Sequence, residues 1–188
     1  ASTGAMKDFV FKKMADFQFV GGLGIPERRF AKETLCAQIC INSFSQTKLK
    51  TFARTRYEDL LFFFNEYEHP QGKDLAFFEG SCAKISRTMA EAWKCFGSKS
   101  EDLRNRSYVL SLYLLLEELL ADNVLATADY RKFADFAFLL WKRLKDEVRL
   151  GFDRKNRELY SLQSLISSAP GEKYQIERRH EKLREFYH

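Results

Sequence analysis

Histidine is the side chain best suited to proton transfer near neutral pH, and the chain has three: His69, His180 and His188. His180 follows Glu177 by three positions, so at helical spacing this carboxylate could orient the imidazole for acid–base catalysis. A solvated, charged helix face explains the same residues equally well. The sequence also lacks the phosphate-loop, nucleophile-elbow and zinc-protease motifs. We therefore assign no catalytic residue.

The four cysteines lie at positions 36, 40, 82 and 95, within segments of helical periodicity. Cys36 and Cys40 are one helical turn apart, which could direct two thiolates towards one metal ion. A tetrahedral site needs two further ligands, and no second close pair of Cys or His residues supplies them. The sequence therefore predicts reduced thiols that act as small apolar side chains, without a metal or another cofactor.

The basic residues occur in clusters in which arginine dominates. A planar guanidinium suits phosphate oxygens, and a cluster where a loop meets a helix could add backbone amides to the same anion. The candidate nucleic-acid contacts are Arg28, Arg29, Arg54, Arg56, Arg178, Arg179 and Arg184. Further clusters are Lys142, Arg143, Lys145 and Arg149, and Arg154, Lys155 and Arg157. The alternative interpretation is a set of wet helix faces on which these cations pair with nearby carboxylates.

Four of these arginines form a sharper hypothesis. Arg28 and Arg29 follow the glycine-rich segment 21–26, and Arg178 and Arg179 belong to the last helical pattern. If the two ends of the domain lie close together, these side chains form one phosphate-binding patch.

The elements that must position these residues are helices, because apolar residues recur at spacings of three and four along most of the chain. The pattern predicts an all-α fold, a compact helical domain of seven to eight helices. Segment 106–121 is apolar on nearly every side, so it is predicted to be the central helix, covered by 75–96 and 130–148. The other predicted helices cover 8–17, 30–44, a segment opened by a capping box at 55–58, 156–167, and 174 to the end.

Length and charge set broader limits. A chain of 188 residues fits one domain, and a net charge of +5 permits contact with nucleic acid or an acidic partner. The longest apolar stretch, 108–116, is far shorter than the ~20 residues that span a bilayer, so we expect a cytoplasmic protein without a membrane partner. Residues 1–5 resemble a cloning scar. The last helical pattern has no stop signal, which favours a single domain over 6–188 cut from a longer protein.

Three segments carry a resemblance to a known family. Arg28-Arg29-Phe30, followed by Glu33 and Leu35, resembles an R-x-x-x-x-E-L helix opening, and Tyr57 before the apolar run 60–64 resembles the Tyr-bearing helix that follows it. Segment 174–186, with Ile176, Arg178, Arg179 and Leu183, is similar to an R-x-x-x-L ending. Together these segments resemble the helical region that follows the ParB-like nuclease domain in GmrSD-type restriction proteins, the bacterial family with a DGQQR motif.

The resemblance implies a bacterial phage-defence protein whose nuclease domain hydrolyses nucleotide and acts on modified DNA. The DGQQR segment is missing from this sequence, so the resemblance implies a non-catalytic helical module that supports a nuclease domain, of the same protein or of a partner subunit, and contacts DNA. Two alternatives remain. One is a protein-interaction domain without a nucleic-acid role. The other is a divergent HEPN-like ribonuclease, because Arg184 and His188 resemble the R-x-H motif of those helical enzymes at a shorter spacing.

Overall fold

The computed structural model of the protein describes residues 4–28, 30–151 and 156–188. Over these residues the fold is all-α and contains no strand, as predicted. The α-helices in the described residues are α1 (Ala5–Asp8), α2 (Gln18–Gly22), α3 (Ala31–Leu49), α4 (Tyr57–Glu66), α5 (Gly72–Phe96), α6 (Arg106–Ala121), α7 (Tyr130–Leu150), α8 (Arg157–Ser167) and α9 (Lys173–Tyr187). This is one more than the upper prediction, because α2 forms a short turn of helix through glycines that were expected to break the chain.

Shorter helical turns join or extend several of these helices. A π-helical turn, Phe9–Lys13, and a 3-10 turn, Met14–Asp16, continue α1. Two further 3-10 turns, Gly97–Asp102 and Thr127–Asp129, precede α6 and α7.

Helix α6 is central, as the sequence predicts, and eleven of its sixteen residues are buried. Its first turn is capped by Asn105, whose side-chain oxygen accepts a hydrogen bond from the Tyr108 amide at 2.9 Å. The covering helices are α3, α5 and α9. The contact of segment 130–148 with α6 is narrower than predicted, because α7 packs mainly on α5 and α8. It meets the first turns of α6 through Tyr108, whose hydroxyl donates to the Ala137 carbonyl.

Two predicted boundaries near α4 also differ from the structure. Helix α3 continues past position 44 to Leu49 and ends at Lys50, which adopts a left-handed conformation with φ of 55°. Helix α4 starts one residue later than the predicted capping box. Its first free amide, that of Arg56, donates to the Asp59 carboxylate at 3.0 Å. Thr55 has another role: its hydroxyl accepts from the Gln38 amide at 3.0 Å and so ties the loop to α3.

An aromatic cluster holds α4 on α3. The Phe44 ring of α3 contacts the rings of Phe63 and Tyr67 from the α4 side and those of Phe77 and Phe78 from α5, at centroid separations of 5.1–6.1 Å. Only one face of α4 is used in this way. No helix in the described part of the chain combines the length and apolar character needed to cross a bilayer.

Candidate functional site

The structure separates the seven candidate arginines into different environments. Arg179 is fully buried, with 0% of its surface exposed. Its guanidinium donates to the Ser111 hydroxyl of α6 at 3.0 Å and to the Leu165 and Pro170 carbonyls at 3.1 and 3.0 Å. Burial lowers the pKa of Arg179 to about 10. The prediction that Arg179 contacts DNA was therefore wrong: its donors connect α9 with α6, with α8 and with the turn after α8.

Arg54 and Arg56 are exposed, but carboxylates of this chain already hold both. Arg54 forms a two-pronged ion pair with Asp59, with N–O distances of 2.8 and 2.9 Å. This pair raises the pKa of Arg54 and lowers that of Asp59. Arg56 pairs with Glu172 at the start of α9. A phosphate would have to compete with these intramolecular partners.

Two more candidates on α9 are paired in the same way. Arg178 contacts the Tyr174 hydroxyl at 3.2 Å and the Glu181 carboxylate at 3.0 Å, one turn to either side. Hydrogen bonds to these two groups raise the pKa of Arg178. Arg184 lies 3.5 Å from Glu118 of α6. Arg184, the arginine of the suggested HEPN-like pair, thus directs its guanidinium at the Glu118 carboxylate of this chain.

The described members of the predicted patch of Arg28, Arg29, Arg178 and Arg179 do not come together. Arg28 is exposed before the first turn of α3, whereas Thr51, beyond the last turn of α3, contacts Glu177 at 3.3 Å. Helix α3 has 19 residues, so these two ends lie roughly 27 Å apart at 1.5 Å per residue. Arg28 and Arg178 are therefore at opposite ends of α3. Arg29 lies outside the described residues.

A different cationic surface has no ion-pair partner among the described residues. Lys142, Arg143 and Lys145 are exposed on α7, and within the described residues no carboxylate forms an ion pair with them. On the same helix Arg131 and Arg149 lie 3.9 Å from Asp135 and Asp146, respectively. We call Lys142, Arg143 and Lys145 the α7 cationic face. The sequence shows this cluster, but burial and pairing were needed to distinguish it from the others.

A charged cleft of about 330 Å³ lies between α3, α5 and α6. Its buried end is the Glu117 carboxylate, which accepts hydrogen bonds from Ser43 at 2.9 Å and Tyr113 at 3.2 Å. Lys84 pairs with the same carboxylate at 2.8 Å. Lys50 lines the mouth of the cleft. Ser43 belongs to α3, Lys84 to α5 and Tyr113 to α6. The Glu117 carboxylate therefore joins these three helices.

His180 extends this polar network to α9. Its Nε2 donates to the Glu118 carboxylate, and its ring packs against Phe52 at a centroid distance of 4.9 Å. The hydrogen bond from His180 is the main cause that lowers the pKa of Glu118. The expected orienting residue, Glu177, instead pairs with Lys173 at 3.7 Å. A carboxylate with a lowered pKa is a weak proton acceptor, so Glu118 suits a structural hydrogen bond between α6 and α9 better than general-base catalysis.

The cysteines show the properties expected of core side chains. Cys36, Cys40 and Cys82 are buried, and Cys40 Sγ lies 3.3 Å from Met14 Sδ. Burial raises the pKa of Cys36 and Cys82 to about 12, so these thiols stay protonated at neutral pH. In the described part of the chain, no group of three His, Cys, Asp or Glu side chains is placed to hold a metal ion.

Sequence reasoning missed the acidic part of this network. Glu117 and Glu118 stand out only as two adjacent charges near the end of an otherwise apolar helix. That anomaly was an available signal, because a buried helix tolerates a carboxylate only where another element supplies a donor. Comparison of the chain with protein-family models, curated proteins and solved structures gives no match.

Proposed function

We propose that this chain is a non-catalytic helical module of a GmrSD-like bacterial defence protein, which supports a nuclease domain and contacts duplex DNA through the α7 cationic face. The observation that carries the DNA contact is the charge of Lys142, Arg143 and Lys145, which form no ion pair with any carboxylate in the described part of the chain. Cations that lack a carboxylate partner can neutralise phosphates and release condensed counterions without first breaking an ion pair. The net charge of +5 acts in the same direction.

The supporting role rests on where the family-like residues lie. Leu35, Ile176, Arg179 and Leu183 are each 0% exposed. They belong to the helix opening and the helix ending that resemble the GmrSD family. Because these residues are buried, they determine how α3 and α9 pack on α6. The residues that resemble the family therefore support a structural role and not a catalytic one.

Fluorescence anisotropy with a labelled duplex at low salt tests the DNA contact. The informative variant is Lys142→Gln/Arg143→Gln/Lys145→Gln, which removes three unpaired charges. A matched control, Arg54→Gln/Arg56→Gln/Arg178→Gln, removes three charges that have internal partners. We expect the first variant to lose affinity by ~10-fold or more and the control to lose much less. Equal losses would show that only net charge matters and would contradict a specific role for α7.

The family assignment has a separate test. The DNA flanking the coding region for this chain can be sequenced, and a DGQQR-bearing domain on the same polypeptide or on a neighbouring gene is the expected result. If neither is found, the nuclease-support role is contradicted, whatever the DNA titration gives.

A second candidate function, a protein-interaction domain, is favoured by the outer face of α4. Tyr57 and Phe62 are 76% and 71% exposed on this helix. Large apolar side chains in an exposed cluster mark contact surfaces more often than single ones do.

A further inference from the structure

Helix α4 has apolar side chains on two faces, and the rest of the protein covers only one of them. Leu60 and Phe63 point inward and are buried. Tyr57, Leu61 and Phe62 point outward, and Leu49 at the end of α3 is 65% exposed next to them. We call these four residues the α4 ridge.

Beside the ridge lies an apolar groove between α3 and α4, with a volume of about 480 Å³. Its walls include Ile41, Phe44 and Phe63, and Phe62 and Leu49 stand at its rim. The groove is wide enough to take one or two apolar side chains of a docking helix, and the ridge would be covered by the same contact.

Charge decides which surface can dock there. Helix α4 carries Glu58, Asp59 and Glu66 and no basic residue, so its formal charge is −3. Two of these carboxylates already have partners, Arg54 for Asp59 and Lys48 for Glu66. Glu58 has no ion-pair partner in the described part of the chain, and it lines the groove. Two α4 helices facing each other would bring like charges together, which disfavours a symmetric contact of α4 with α4.

Helix α7 has the complementary character. It contains six basic and three acidic residues, a formal charge of +3. Leu139, which is 61% exposed, precedes Lys142 and Arg143 by three and four positions, so an apolar anchor and two unpaired cations share one outer stripe. Lys48 and Arg54 also line the groove, so its wall keeps one net negative charge. A basic helix with an exposed leucine complements this groove in charge and in apolar character.

We propose that the α7 stripe of one copy of this chain docks into the α3–α4 groove of a second copy, with Leu139 in the groove and Lys142 and Arg143 near Glu58 and Glu66. The two surfaces differ, so the contact is heterologous and repeats from copy to copy as a ring or a filament. This inference goes beyond the proposed function. Because the cationic stripe of α7 is used in both, DNA and self-association compete for it.

Sedimentation equilibrium without DNA, over a series of protein concentrations, tests the contact. For the wild-type chain we expect the average mass to rise above the monomer mass of 22.1 kDa with concentration, and to fall again as salt is added. The groove variant is Glu58→Lys/Phe62→Lys and the stripe variant is Leu139→Asp/Arg143→Glu. All four positions are exposed, and circular dichroism checks that each variant keeps its helices.

Mixing the two variants gives the decisive result. Alone, each should stay monomeric, because each lacks one of the two surfaces. Mixed, they should form a 1:1 complex of twice the monomer mass that grows no further, since the groove variant keeps its stripe and the stripe variant keeps its groove. The control Val124→Lys changes an apolar residue that is 53% exposed elsewhere, and it should associate like the wild type.

Three results would overturn the proposal: a wild-type chain that is monomeric at every concentration, variants that do not combine when mixed, or association that survives in the stripe variant. The last would indicate a symmetric α4 contact. In the DNA titration the groove variant, which keeps its α7 stripe and cannot self-associate, should bind at least as tightly as the wild type.

Discussion

At the scale of single residues, the adjacent Arg178 and Arg179 have opposite environments, one exposed and one buried. Arg178 is on the surface and Arg179 holds three internal acceptors. We expect Arg179→Met to lower the free energy of unfolding by about 3 kcal/mol, because buried acceptors lose their donors. Arg178→Met should leave stability essentially unchanged. Urea denaturation of the two variants checks this, and similar midpoints for both would contradict the structural role of Arg179.

The Glu118 carboxylate makes stability depend on pH. Its pKa in the folded protein is lowered from the ordinary value of 4.5, first by the hydrogen bond from His180. Its contribution is therefore fully present above the unfolded-state pKa and is lost as the pH falls through the lower folded-state value. We expect Glu118→Gln to be less stable than the wild type at neutral pH and to lose less further stability on acidification.

Thermal unfolding monitored from pH 7 down to about pH 3 measures this effect. The control Glu181→Gln changes an exposed carboxylate on the surface of α9 and should keep the wild-type acid profile. If Glu118→Gln and the wild type lose stability in parallel on acidification, Glu118 is not a source of the pH dependence.

At the scale of elements, α6 organises the packing. Leu115 is fully buried in it, whereas Leu139 on α7 is mostly exposed. Leu115→Ala should cost about 3 kcal/mol of unfolding free energy through lost burial and the cavity left behind. Leu139→Ala should change it by no more than about 0.5 kcal/mol. Equal effects in chemical denaturation would mean that α6 is not the centre of the core.

The sequence predicts this level of organisation well because helical periodicity reports burial directly. The 106–121 segment was assigned with the bounds that α6 has. The sequence predicts the α4 cap at Thr55, one residue before the Arg56 cap that the structure has. Threonine is a favoured capping residue, and the sequence does not show that the Thr55 hydroxyl instead accepts from Gln38. The arginines were harder still. Sequence spacing cannot show that Arg179 faces Ser111 or that Arg56 meets Glu172, since those partners are 68 and 116 positions away.

At the scale of the whole molecule, charge is distributed unevenly. Helix α4 is acidic and apolar, with a formal charge of −3, whereas α7 is basic, with a formal charge of +3. A protein built in this way can bind nucleic acid through α7 and can bring α7 of one copy against α4 of another. The DNA contact is the central claim, because it separates a defence module from a general interaction domain.

The salt dependence of duplex binding tests that claim most directly. Each phosphate contact contributes about 0.9 to the slope of log K against log salt, so Lys142→Gln/Arg143→Gln/Lys145→Gln should reduce the magnitude of the slope by roughly 2.7. The matched control Arg54→Gln/Arg56→Gln/Arg178→Gln should keep a slope close to that of the wild type. A slope that is unchanged in the α7 variant, or the absence of wild-type binding even at low salt, would contradict the account.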